Sequence, residues 1–543
     1  MGNELDRLLQ RQRRKWLEDA LGTELWTTVY ASEKAKDESV GIYSAFVPSA
    51  HGPKTLQDDS WDLRIDHVRP CCSQSSKGVS YFRFGTDNGI EPLVIIRSFH
   101  GLRPSSIELL EEFRLFHNLY HDPTRNEFIK IDEGGQEEIV ARIKEDRVDI
   151  KTVAIRQYLA IKEMHLAIFI DSKTFSPLAI DDVPVSDRRA TVHTDRVRYF
   201  CIASPWDFTD RGKTVSRLLG KKLIAPLPKE QSGFWPYNEE EEEKHEDFII
   251  GVDEAGKPVT YTSNPDKLAN YFGANPTAPH YLTPVFFRRE VLAKYFQQPQ
   301  KYSVRDGHLG CRSLWGVQID NNHEDYVLVF LGDLGRDLPH HEQVYWKSFN
   351  VPPDGTISEV NLRRSFLAEF IDPTSPDLIF KNALAALNTA WQKRFGWPLF
   401  LPLHAGDEHH WTALHVPTTD EQAEFDGLLL SLTKILIDSI NEAELVKHGV
   451  SADTTGSIAK LQEFLTVEKL PAADEQVKLL RNIQSLRSAG VGHRKGSSYP
   501  KAATAVGVGA KPLSAVFADL LRAATSLLDA LGSHFLAEAT KEP

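Results

Sequence analysis

All 10 tryptophans of this 543-residue chain fall before Thr419. From that point on, apolar residues recur at the three- and four-residue spacing of a helix face. Phe425, Leu428, Leu429, Leu432, Ile435 and Leu436 form one wide stripe. Leu479, Leu480, Ile483 and Leu486 form a second, and Val516, Leu520, Ala524, Leu527 and Leu531 a third. Stripes of that width are buried only against other helices, and short connections between them make neighbours antiparallel. Residues 419–543 are therefore expected to fold as an all-α bundle.

The rest of the chain is too long to share that core. Residues 1–172 read as an α+β domain, opening with a helix over Glu4 to Leu21. The strand-like runs WTTVYA, GIYSAFV, VSYFRF and PLVIIRSF follow. A helix is expected over SSIELLEEFRLFHNLYHD, where Ile107, Leu110, Phe113, Phe116 and Leu119 keep a helical period. His117, His121 and Arg114 on it read as a solvated polar stripe. Residues 173–332 read as a β-rich domain, with RVRYFCIAS, DFIIGVD and YVLVFLGD set between Pro- and Gly-containing turns. Residues 333–418 form a His-, Trp- and Pro-rich connecting region. The fold class expected is α+β multidomain: a mixed α/β N-terminal region followed by the all-α bundle.

With 41% hydrophobic and 26% charged residues, the chain has the composition of an ordered globular protein rather than a disordered one. No run reaches the ~20 apolar residues of a membrane helix, and MGNELDRLLQRQRRKWLEDALG has no apolar signal-peptide core. Cys71, Cys72, Cys201 and Cys311 are too few and too scattered for a disulfide framework or a four-thiolate zinc site. A cytoplasmic, reducing compartment without membrane contact is the expectation. The formal net charge of -13 argues against a surface that coats nucleic acid throughout.

One local exception stands out. Between Gln476 and Ala518 there is no Asp or Glu, while Lys478, Arg481, Arg487, Arg494, Lys495, Lys501 and Lys511 supply seven positive charges. Within this run the third long helix stops at Gly490 and Gly492, so Arg487 sits in its last turn and His493 just beyond. Metal-free RNA cleavage needs a base for the ribose 2′-hydroxyl proton and positive charge beside the phosphate. Histidine and arginine supply these two functions.

Arg487-Ser-Ala-Gly-Val-Gly-His493, at the end of the third helix of a bundle and followed by Arg494 and Lys495, resembles the motif of the HEPN superfamily of ribonucleases. The likeness covers about residues 419–533. The residue after the arginine is Ser488, where many active members carry Asn, Asp or His. The resemblance implies a metal-independent endoribonuclease without cofactor, of a bacterial anti-phage or toxin-type system. Arg487 and His493 would be catalytic, and Arg494, Lys495 and Arg481 would bind RNA, with tRNA among the candidate substrates. It further implies a homodimer with a shared active site. The N-terminal region would sense or regulate, answering to a partner protein or a phage-derived trigger.

Two alternatives remain at this level. One is a HEPN domain that binds nucleotide or dimerises without catalysis. The other is a metal-dependent hydrolase built on His404, Asp407, Glu408, His409, His410 and His415, with His340 and His341 upstream. The expectation for that cluster is structural: side chains packed with Trp391, Trp397 and Trp411.

Overall fold

A computed structural model describes residues 2–61, 70–84, 89–207, 211–237, 243–490 and 495–536. The chain forms two compact units, 1–242 and 243–543.

The first unit is built on an eleven-stranded antiparallel sheet. Its strand order is Arg189–His193, Val197–Pro205, Thr214–Ile224, Met164–Ser176, Glu38–Pro48, Trp26–Lys34, Arg147–Lys151, Glu137–Ile143, Glu127–Ile131 and Tyr120–Asp122. The short strand Glu91–Pro92 pairs with Glu38–Pro48. Met164–Ser176 is paired along its length on both sides, Ile168 facing Ser44 in one neighbour and Lys222 in the other. That strand crosses residue 172, so segments 1–172 and 173–224 share one sheet rather than forming separate domains.

Both faces of the sheet's centre are covered. On one face Val47, Ala167 and Leu223 pack with Leu56 of the helix Gly52–Gln57. On the other, Leu166, Ile168, Ile170 and Ile224 pack with Leu17 and Leu21. Leu17 comes so close that a Cβ on Gly220 would lie 2.6 Å from its Cδ2. The adjacent lysines of Thr214–Ile224 follow the same alternation, since successive side chains point to opposite faces. Lys221 donates to the carbonyls of Thr55 (3.1 Å) and Asp58 (2.8 Å). Lys222 donates to those of Leu17 (2.8 Å) and Glu18 (2.6 Å).

The N-terminal helix departs from the continuous Glu4-to-Leu21 expectation. It is broken into Gly2–Leu8, Arg11–Lys15 and a π-helical turn Trp16–Ala20. The break is Gln10, buried and left-handed at φ 51. Its amide donates to Ser216 Oγ at 3.0 Å and to the Ser172 carbonyl at 3.2 Å, joining two strands. The helix expected over SSIELLEEFRLFHNLYHD is also shorter. Ser106–Leu109 is a strand paired with Val94–Arg97, and the helix spans Glu111–Phe116. Asn118, at φ 49, turns the chain into Tyr120–Asp122. His117 does not face water: it is 4% exposed and donates Nε2 to the Ala154 carbonyl at 2.9 Å. Phe113 and Phe116 pack edge-on against its ring and against Tyr158.

The second unit holds three small antiparallel sheets. Pro284–Arg288 lies between Tyr326–Phe330 and Asn350–Val351; Tyr302–Arg305, His308–Cys311 and Trp315–Gln318 make a meander; Asp247–Val252 pairs with Pro258–Thr262. Of the strand-like run YVLVFLGD only Tyr326–Phe330 is strand; its last three residues open the helix Leu331–Asp337. The core here gathers Phe287, Tyr295 and Trp346 around a buried carboxylate, Glu342, which accepts from Lys294 Nζ at 2.7 Å and Tyr295 Oη at 2.6 Å.

The helix Gln422–Thr433 with the π-helical turn Lys434–Asp438, and the helices Ala473–Gly490 and Leu513–Phe535, bury the three expected stripes, with Leu479 alone only half-buried; Ser457–Val467 joins the same core. The helical core starts earlier than 419. Pro376–Phe395 packs along Leu513–Phe535, and Phe380, Leu384, Leu387 and Trp391 belong to the same core. Trp391 and Trp397 meet Phe464 there, and Trp391 also meets Phe535. Among the described residues, no helix is long and apolar enough to cross a membrane.

Candidate functional site

The Ala473–Gly490 helix carries Val477, Leu480, Ile483 and Leu486 into the bundle core. Arg487 follows in the last turn, at the margin of that buried stripe. Its guanidinium is half-buried, and Nε is fully buried without a hydrogen-bond partner. Gly490, three residues on, lies on the same side of the helix. The ring of Tyr499 covers it so closely that a Cβ on Gly490 would stand 2.9 Å from Cε2. The Tyr499 hydroxyl is a second buried group without a partner. Lys495 completes the group, its Nζ 4.8 Å from the Tyr499 ring centroid and 3.1 Å from Asp426 Oδ2. Asp426 is itself oriented by Gln422, whose Nε2 donates to Oδ1 at 2.8 Å.

This arrangement sets the Lys495–Tyr499 pair against Gly490, one helical turn beyond Arg487. Arg481 is not part of it. Six residues before Arg487, it stands about 9 Å back along the helix and about 120° around it, where it donates to Gln462 Oε1. His493 and Arg494 lie outside the described residues.

The run without acidic residues in sequence is not without them in space. Asp426 pairs with Lys495, and Asp519 pairs with Lys511 at 2.7 Å. Two of the seven positive charges are thus compensated by carboxylates outside the run. Asp426, Gln422 and Tyr499 carried no signal of their own: a surface Asp and Gln four apart are common on any helix, and Tyr499 has meaning only through its contact with Gly490.

The histidine-rich stretch resolves into separate partnerships. His404 Nδ1 accepts from the Gly406 amide at 3.1 Å. His410 Nδ1 meets Ser431 Oγ at 2.9 Å. The His409 ring lies tilted against that of His410, centroids 4.1 Å apart. Asp407 accepts from Lys434 at 2.8 Å. His415 donates Nε2 to Glu424 at 3.0 Å and stacks flat on Phe296 at 3.7 Å. His340 and His341 turn to Glu246 and Glu342. Burial pushes the His410 imidazole below its usual range, reinforced by His409 and Lys434. The stretch thus fastens a loop to the bundle, and no group of three or more His, Cys, Asp or Glu among the described residues is arranged to hold a metal ion.

Comparison with family models, curated proteins and solved structures finds no match to this chain.

Proposed function

We propose that the C-terminal helical region is a HEPN-type bundle and that the chain is a metal-independent endoribonuclease. In this reading Arg487 contacts the scissile phosphate and His493 takes the proton from the ribose 2′-hydroxyl. The 2′-oxygen then attacks phosphorus, the bond to the 5′-oxygen breaks, and that oxygen is protonated as it leaves. The products carry a 2′,3′-cyclic phosphate and a 5′-hydroxyl. Arg494 and Lys495 hold flanking phosphates.

The observation that carries the reading is the unpartnered, buried Nε of Arg487 in the terminal helical turn. A buried donor left unmade costs ~1–3 kcal/mol, a cost that a phosphate oxygen would remove once the side chain turns to present Nε to it. Two copies meeting at the end of the Ala473–Gly490 helix would share the site, as the resemblance implies. The same resemblance extends to an effector role in anti-phage defence or as a toxin, with residues 1–418 sensing or regulating.

The test is RNA cleavage by wild type beside His493→Ala and Arg487→Ala, with sequencing and end-group analysis of the products. Loss of the acid/base is expected to slow cleavage by ~10²–10⁴-fold. Undiminished cleavage by His493→Ala, or products with 5′-phosphates, would overturn the proposal.

A further inference from the structure

The sheet of the first unit carries a concavity of about 520 Å³, inside the ~300–1,000 Å³ range of small-molecule sites. Arg13 and Trp16 of the N-terminal helical segment bound it on one side, and Trp26 and Arg142 of two sheet strands on the other. Val40 and Ile42 give it an apolar floor. We infer that this concavity binds a nucleotide: a planar aromatic base carrying phosphate.

The aromatic half of the argument is the pair of indoles. Trp26 already has the Arg142 guanidinium stacked 4.5 Å from its ring centroid. Indole faces take up bases by stacking, whichever base is offered.

The anionic half comes from which cations are already engaged. Arg147 is held by Asp149 at 2.9 Å, by Glu33 at 3.4 Å and by Thr28 at 2.7 Å. Arg13 is held by Glu38 and by Ser172 Oγ at 2.6 Å. Arg142 is engaged less fully: Glu127 stands 3.3 Å from its Nε and its guanidinium lies on the Trp26 ring, but the buried Nε makes no hydrogen bond. Lys144 is exposed, with no side-chain hydrogen bond or ion pair among the described residues. Lys144 and the terminal nitrogens of Arg142, which make no hydrogen bond among the described residues, are therefore available to phosphate oxygens.

Glu24 on the same wall also lacks a side-chain partner among the described residues, and it suits a ribose hydroxyl or a base amine as donor. A bare inorganic anion would leave both indoles and Glu24 unused. A neutral aromatic molecule would leave Lys144 and Arg142 unused. A nucleotide uses all of them.

The test is calorimetric titration of the full chain with ADP, with adenosine and with inorganic phosphate. One ADP per chain is expected, with adenosine and phosphate each at least about tenfold weaker, since each lacks one half of the recognition. Lys144→Ala, at an exposed position that leaves the fold intact, and Arg142→Ala should each weaken ADP by about tenfold. Trp26→Leu should bring ADP down to the affinity of phosphate alone. No saturable ADP binding at millimolar concentration overturns the inference. So does unchanged affinity in both Lys144→Ala and Arg142→Ala, or phosphate binding as tightly as ADP.

Discussion

Lys221 and Lys222 are consecutive on one strand, yet each closes the end of a different helix on an opposite face of the sheet. Lys222 ends on Leu17 and Glu18, and Lys221 on Thr55 and Asp58. Both ammonium groups are buried, which lowers their pKa values. The carbonyls they satisfy are the ones a helix C-terminus leaves over. Lys222→Met keeps the aliphatic stem and strands two carbonyls. It should lower the unfolding free energy of this unit by about 3 kcal/mol, measured by urea denaturation, and Lys221→Met should act similarly.

His117 gives the first unit a pH dependence of defined sign. Burial holds its imidazole neutral, down to about 4 from an ordinary 6.5. The unfolded chain therefore binds the proton first. Stability is complete above about pH 6.5 and falls as pH drops toward 4, by about 3 kcal/mol in all. His117→Gln, which keeps a donor for Ala154, should flatten that slope in denaturant titrations across this window.

Glu424 acts lower on the pH scale. Burial opposes its ionisation, but donors from His415, Thr419 and Thr418 outweigh that and hold the carboxyl at about 2, against 4.5. Its stabilising contribution is present above about pH 4.5 and is lost as pH falls toward 2. Glu424→Gln should cost about 2 kcal/mol at neutral pH and remove this acid-range slope, read from thermal melts at stepped pH.

On the proposed ribonuclease reading, the Lys495–Asp426 pair sets how RNA binding should respond to salt. Asp426→Ala frees Lys495 for phosphate. Affinity for single-stranded RNA should rise, and the plot of log affinity against log salt should steepen by about 0.7. Lys495→Ala should do the reverse, flattening the plot without abolishing cleavage. Filter binding across a salt series distinguishes the two.

The helical stripes were legible in the sequence because burial against other helices imposes a period that Phe425 to Leu436 and Val516 to Leu531 keep. What escaped was set by partners remote in the chain. Gln10 breaks the first helix to reach Ser172 and Ser216, and no neighbour in sequence announces that. Ser106–Leu109 has helical spacing, but Val94–Arg97 offers it a strand partner. Strand Met164–Ser176 runs through an expected domain boundary because its two long neighbours lie at 38–48 and 214–224. At the candidate site, the position of Arg487 followed from the glycines behind it. The pairing of Lys495 did not, since Asp426 belongs to a different helix.

The pairing of Met164–Ser176 also sets a timetable for synthesis. When residue 176 is made, one side of that strand can already dock on Glu38–Pro48, while its other partner ends at Ile224. At ~5–20 residues per second, the ribosome needs roughly 2–10 s to supply the missing strand. Throughout that interval a long row of unpaired amides and carbonyls faces outward, an open template for a neighbouring nascent chain. Slow stretches of translation between 176 and 224 should raise misassembly of this unit, and faster ones should lower it.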